Sequence, residues 1–221
     1  MPEKLKTSAT EIATIYAGSI TLGVGQFCTN PGIIIGIESE YLKTFIHDLG
    51  KAIQQIAPAP MLHTGIVTAY KKNKGNALLQ EEVHLVAESE TMVQANEGLP
   101  TIATASGQAF LSNPVLQHEI FGPYSIVIRC KDITEMIEVA KHIEGQLTAT
   151  LMATENDIKE NEELVEAIKN ICGRFILNSV PTGVEVCLSM HHGGPFPAST
   201  DSRFSSVGAD GIKRFARPIA F

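Results

Sequence analysis

Apolar residues in this chain come in short runs of two periods, and the periods alternate. Ile12, Ile15 and Tyr16 recur at helical spacing behind Thr7 and Ser8, either of which can cap a helix. Gly23 and Gly25 break that pattern. Ile33, Ile34 and Ile35 follow without a polar interruption, the pattern of a strand buried on both faces in a parallel sheet. Between Glu40 and Ile56 the apolar positions Leu42, Phe45, Ile46, Leu49, Ile53 and Ile56 predict an amphipathic helix, ended by Ala57-Pro58-Ala59-Pro60. His63 to Leu79 predicts a second helix despite Gly65 and Gly75, and Val83 to Val86 a short strand. Gly98-Leu99-Pro100 punctuates before an extended stretch, Thr101 to Ser106. Then come a strand from Tyr124 to Arg129, a helix from Asp132 to Gly145 capped by Asp132, and a strand from Leu147 to Ala153. A helix from Asn161 to Ile171 and a strand from Arg174 to Asn178 complete the pattern. After Pro181 the run of Gly183, His191, His192, Gly193, Gly194, Pro195 and Pro197 reads as loop.

Strands alternating with helices predict an α/β fold: a three-layer sandwich around a largely parallel, twisted sheet. The 221 residues show no repeat or clear linker, so residues 1–221 are read as one domain. With 44% hydrophobic and 19% charged residues the chain can bury a core, which excludes global disorder. A formal charge of −7 argues against a nucleic-acid partner, and Lys71-Lys72-Asn73-Lys74 is read as a solvated helix face. No apolar run approaches membrane-spanning length, and the N-terminus has no apolar segment behind it, so no membrane partner is expected. Cys28, Cys130, Cys172 and Cys187 form no C-x-x-C pair, which suits a reducing, cytoplasmic setting.

Gly25-Gln26-Phe27-Cys28-Thr29-Asn30-Pro31-Gly32 puts one thiol in a tight turn among small and amide residues. Such neighbours let a substrate approach and offer backbone N–H groups to a developing oxyanion. A buried structural cysteine explains the same residue equally well by pattern alone. Far along the chain, Glu119-Ile120-Phe121-Gly122-Pro123 forms a second compact stretch, whose simplest reading is a solvated Glu119 and a core Phe121. His191 and His192 are adjacent on an extended segment and point to opposite sides, with no third ligand in view. They are read as loop histidines, and no metal site is expected. A cysteine hydrolase needs a histidine positioned at Cys28, which the sequence does not identify. Gly23-Val24-Gly25 starts like a dinucleotide fingerprint but lacks its third glycine and follows a helix, so it is set aside.

Gly25-Gln26-Phe27-Cys28-Thr29 is similar to the Gly-Gln-x-Cys segment around the aldehyde dehydrogenase nucleophile, and Glu119-Ile120-Phe121-Gly122-Pro123 resembles that family's Glu-x-Phe-Gly-Pro motif. They occur in the family's order, and the resemblance extends over essentially the whole chain. Gly194-Pro195-Phe196-Pro197-Ala198-Ser199-Thr200, Arg203 to Gly208 and Arg214 to Pro218 resemble the 2,5-dioxovalerate (α-ketoglutaric semialdehyde) dehydrogenase branch, which also includes fatty-aldehyde dehydrogenases.

The resemblance implies oxidation of a small-molecule aldehyde, α-ketoglutaric semialdehyde, with NADP (or NAD) as cofactor. It implies that the Cys28 thiolate attacks the aldehyde to give a thiohemiacetal, that hydride leaves to the nicotinamide, and that water hydrolyses the thioester. The oxyanion hole would use the Cys28 N–H and an amide from an N-terminal half. Glu119 would accept hydrogen bonds from the nicotinamide ribose, Phe121 would press against the nicotinamide, and Phe27 and Thr29 would line the aldehyde tunnel. Family members are considerably longer. The expectation is therefore a catalytic domain without the N-terminal cofactor domain, its general-base glutamate or the C-terminal oligomerisation strand. Such a chain is not competent for full turnover alone and belongs to a homo-oligomer at full length. The alternative is an inactive fragment that acts only as a folded, self- or partner-associating domain.

Overall fold

A computed structural model of the chain describes residues 1–183 and 185–221. In order along the chain it comprises α1 (Pro2–Thr21), β1 (Ile33–Ile37), α2 (Glu40–Gln54), β2 (Ala59–Pro60) and α3 (Thr64–Leu78). Next come β3 (His84–Glu88), β4 (Glu97–Gly98), β5 (Thr101–Ser106), α4 (Gly107–Ser112) and β6 (Tyr124–Cys130). Then follow α5 (Ile133–His142), β7 (Gln146–Leu151), α6 (Glu155–Glu160), α7 (Glu162–Ile171) and β8 (Cys172–Leu177).

The main sheet has the order β1-β6-β5-β3. β1 and β5 run parallel to β6 on either side of it, and β3 closes the far edge antiparallel. β6 is buried along almost its whole length, which is why Tyr124 to Cys130 reads as an apolar run and not as an alternation. Its side chains still divide by face with period two. Ile126 and Ile128, with Ala103 and Ala105 of β5, pack under Tyr70, Phe110, Met136 and Val139. Val127 and Ile102 face Ile12, Tyr16 and Ile20 of α1 and Phe45, Leu49 and Ile53 of α2. The result is the expected α/β sandwich, with helices on both faces of a mostly parallel sheet.

The sheet is interrupted. β7 and β8 form a separate parallel pair, so among the described residues β1 and β7 each keep one edge free of strand partners. Both edges line one cleft.

Three local readings differ from the structure. α1 starts at Pro2, not at Thr7 or Ser8, because its first amides are capped from outside the helix: Glu3 N and Lys4 N donate to the Asp157 carboxylate at 3.4 and 3.2 Å. Ser8 (φ −139°) is non-helical and divides α1 into two segments, so the segment through Ile12 and Tyr16 does start just after it, as the sequence pattern placed it, behind an added first turn and a half. α6 lies where the sequence pattern gave no element, held by a capping box between Thr154 and Asp157. The small antiparallel pair β2–β4 was also not foreseen. No helix among the described residues is long and apolar enough to cross a membrane.

Candidate active site

Cys28 lies in the turn that enters β1, and Glu119 to Pro123 form the turn that enters β6. Because β1 and β6 are adjacent and parallel, both turns emerge at the same end of the sheet. Parallel pairing thus joins two motifs far apart in sequence. The contact is close: a Cβ on Gly25, whose φ is +65°, would overlap the backbone at Gly122 and Pro123. Gly122 in turn packs so tightly on Tyr70 that its own Cβ would overlap that ring. Asn30 Nδ2 donates to the Gly122 carbonyl at 3.2 Å, and Ser125 Oγ donates to the Pro31 carbonyl. The Cys28 turn is therefore fixed on both sides of the thiol.

A cleft of about 570 Å³ opens beside these turns, and Phe27, Cys28, Thr29, Glu119 and Phe121 all line it. Cys28 is exposed. Phe27 lies over Gly23, where a Cβ would come within 2.6 Å of the ring. Phe27 and Phe121 remain 39% and 37% exposed, unusual for large aromatics, so both present ring surface to the cleft. Thr29 is buried, and its hydroxyl donates to the Pro181 carbonyl at 3.1 Å. That bond ties the Cys28 turn to the segment after β8. Glu119 is exposed and pairs with no cation among the described residues.

The segment after β8 adds a residue that sequence reasoning set aside. His192 is indeed in a loop, but its Nε2 lies 3.1 Å from Cys28 Sγ. The loop passes close over the starts of β7 and β8. A Cβ on Gly173 would overlap the Gly193 carbonyl, and one on Gly194 would overlap the Gln146 carbonyl. The two histidines do diverge: the His191 ring packs against Gly193, while His192 faces the thiol. The sequence signal was Gly193-Gly194, which marks close backbone passage immediately after His192. His192 is pinned through its backbone as well. Its N–H donates to Ser205 Oγ at 3.0 Å, and its carbonyl accepts from Ser206 N at 3.0 Å and Ser206 Oγ at 2.9 Å. Partial burial, helped by the nearby Arg174 and His191 charges, lowers the His192 pKa below its ordinary value. Arg174 also donates to the Pro181 carbonyl at 3.3 Å, the acceptor that Thr29 uses.

The other three thiols differ sharply among themselves. Burial, with the carboxylates of Glu135, Asp132 and Glu38 nearby, pushes Cys130 up to about 12. Burial also raises Cys172. Cys187 is exposed, and a hydrogen bond with Ser189 holds its pKa below the ordinary thiol value. No group of three or more His, Cys, Asp or Glu side chains among the described residues could hold a metal ion.

Comparison with known proteins adds context to this geometry. A model of the aldehyde dehydrogenase family matches residues 7–216. The chain is 38% identical over 220 residues to alpha-ketoglutaric semialdehyde dehydrogenase 2 of Azospirillum brasilense, covering all of this chain and 42% of that protein. It is 38% identical over 222 residues to alpha-ketoglutaric semialdehyde dehydrogenase of Acinetobacter baylyi, again covering all of this chain and 42% of the relative. Among solved structures, succinic semialdehyde dehydrogenase from Streptococcus pyogenes in complex with NADP+ superposes with a TM-score of 0.67 at 21% identity, over 83% of this chain and 40% of that one. The chain thus spans less than half the length of the relatives it matches.

Proposed function

The chain belongs to the aldehyde dehydrogenase family, and on that premise we propose that its cleft carries the nucleophile and part of the cofactor site of an NAD(P)-dependent enzyme oxidising α-ketoglutaric semialdehyde. The observation that carries this reading is the meeting of Cys28 with Glu119 and Phe121 on one cleft. The substrate class is taken from the relatives, which are alpha-ketoglutaric semialdehyde dehydrogenases by name.

In this reading residues 1–221 act as one catalytic domain, and Cys28 Sγ forms the bond to the aldehyde carbon. The Cys28 N–H donates to no backbone carbonyl among the described residues, so it is free for the oxyanion that develops. Phe27 and Thr29 flank the thiol and shape the aldehyde's approach. The residues present fit a nicotinamide cofactor, NADP or NAD. Glu119 is exposed and, among the described residues, pairs with no cation, which leaves its oxygens to accept from a ribose diol, and Phe121 has an exposed ring for the nicotinamide side. When bound, that group accepts the hydride. The covalent adduct at Cys28 is the step that these residues account for.

Protection from alkylation tests the reading. α-Ketoglutaric semialdehyde should slow iodoacetamide modification of Cys28 and leave Cys187 unaffected, as resolved by peptide mass. Equal rates at Cys28 with and without the aldehyde reject it.

A second reading keeps the fold without the catalysis. It draws on the free edge of β1, whose Ile33 to Ile35 are only half-buried. Here two copies of the chain pair edge to edge, β1 against β1, antiparallel about a two-fold axis. A monomer at every concentration in sedimentation rules this out.

A further inference from the structure

We infer that His192 is the proton acceptor for Cys28, so that the chain carries its own base for the nucleophile. The inference rests on reading Cys28 as that nucleophile and adds a catalytic residue to the same site.

A thiol attacks a carbonyl well only as its proton leaves. His192 Nε2 lies 3.1 Å from Cys28 Sγ, within reach for that transfer. The arrangement is built, because three hydrogen bonds from Ser205 and Ser206 fix the His192 backbone. Thr29 and Arg174 converge on the Pro181 carbonyl and tie the opposing turn to the same segment. Each partner of the pair is thus held by its own anchor.

The charged and titratable groups around His192 are Arg174 and His191 on its own side and Cys28 opposite, while Glu119 lines the cleft that Cys28 faces. Partial burial, with Arg174 and His191 nearby, disfavours a standing imidazolium, so the ring rests neutral near pH 7 with a lone pair available. In the step itself the Cys28 S–H bond breaks and its proton passes to Nε2. The sulfur's electron pair forms the bond to the aldehyde carbon, and the carbonyl electron pair moves to oxygen. No oxidant or further reactant is needed.

The experiment is the pH dependence of Cys28 alkylation by iodoacetamide, resolved by peptide mass, in the chain and in His192→Ala. The pair predicts a rate that already rises below the free-thiol range near about 8.5, as the imidazole becomes free to accept the proton. In His192→Ala the rate at neutral pH falls about tenfold or more and the low-pH rise disappears. Added imidazole restores part of it. His191→Ala keeps the low-pH rise. Cys130, buried in the core, reports folding: it stays unmodified in any variant that retains the structure. An unchanged Cys28 profile in a folded His192→Ala overturns the inference. So does a wild-type profile with no rise below the free-thiol range. Protection of Cys28 by the aldehyde under either outcome leaves the nucleophile reading standing and removes only the base.

Discussion

Gly25 and Gly122 touch backbone to backbone, with no room between them for a side chain on residue 25. This contact ties the turn that carries Cys28 to the turn that carries Glu119 and Phe121. It forms because β1 and β6 are parallel neighbours, so the chain enters both strands at the same end of the sheet. Tyr70 backs the contact from α3: its ring fills the space beside Gly122, and its hydroxyl donates to the Leu99 carbonyl at 2.6 Å.

Gly25→Ala should therefore move the site as well as weaken the fold. A methyl group there meets the Gly122 carbonyl in a backbone conformation, φ +65°, that non-glycine residues rarely adopt. A loss on the order of 2–3 kcal/mol in urea unfolding is expected, with Cys28 alkylated more slowly than in the unchanged chain. A variant as stable as the parent contradicts the close contact.

Thiol reactivity should split the cysteines into two pairs. Cys28 and Cys187 are exposed, while burial pushes up the pKa values of Cys130 and Cys172. In native buffer at pH 8, iodoacetamide should modify Cys28 and Cys187 well before the other two. Cys130 reacting at a comparable rate means that the core around β6 is open. Because the bond with Ser189 lowers the Cys187 pKa, bulk thiol titration cannot identify the nucleophile, and each site has to be read separately.

His192 should titrate below the ordinary histidine midpoint of about 6.5, by proton-detected NMR of its ring. Burial is the main cause, with the Arg174 and His191 charges behind it. The sign for stability follows. Between the lowered folded midpoint and 6.5 the unfolded chain binds more protons, so stability rises with pH across that window. The contribution of His192 is complete above about 6.5 and is lost as pH falls through the folded midpoint. His192→Gln should flatten this slope. A midpoint at or above 6.5 contradicts the packing described for the loop.

Asp157 should matter more than its position in a short helix suggests. It is buried and accepts from four groups: Glu3 N, Lys4 N, Thr154 N and Thr154 Oγ1. Asp157→Ala leaves the start of α1 without its cap and α6 without its capping box, for about 2–3 kcal/mol. Guanidinium unfolding measures it, and a change below about 0.5 kcal/mol means that water replaces the carboxylate at no cost.

These residues also show what the sequence could and could not reveal. The strands were legible because Ile33 to Ile35 and Tyr124 to Arg129 are apolar whichever strands flank them. That same property hid the break between β1 and β7, since a half-buried Ile34 reads like a buried one. α1 was cut short because its cap is Asp157, more than 150 residues away, and local capping rules see only neighbours. Cys28 and Glu119 could be named from their motifs, and their meeting followed from parallel pairing. His192 could not. The opposite-sides argument correctly excluded a shared metal for adjacent histidines, but it says nothing about which of them a returning loop lays against a thiol.

The most direct test of the central claim is carbon-13 NMR of the chain mixed with α-ketoglutaric semialdehyde labelled at its aldehyde carbon. If Cys28 is the nucleophile, a new resonance of a tetrahedral carbon bonded to sulfur appears without any cofactor, is absent in Cys28→Ser and persists in Cys187→Ser. If the resonance is missing, or if it survives in Cys28→Ser, the cleft beside Glu119 and Phe121 is not where this chain engages an aldehyde.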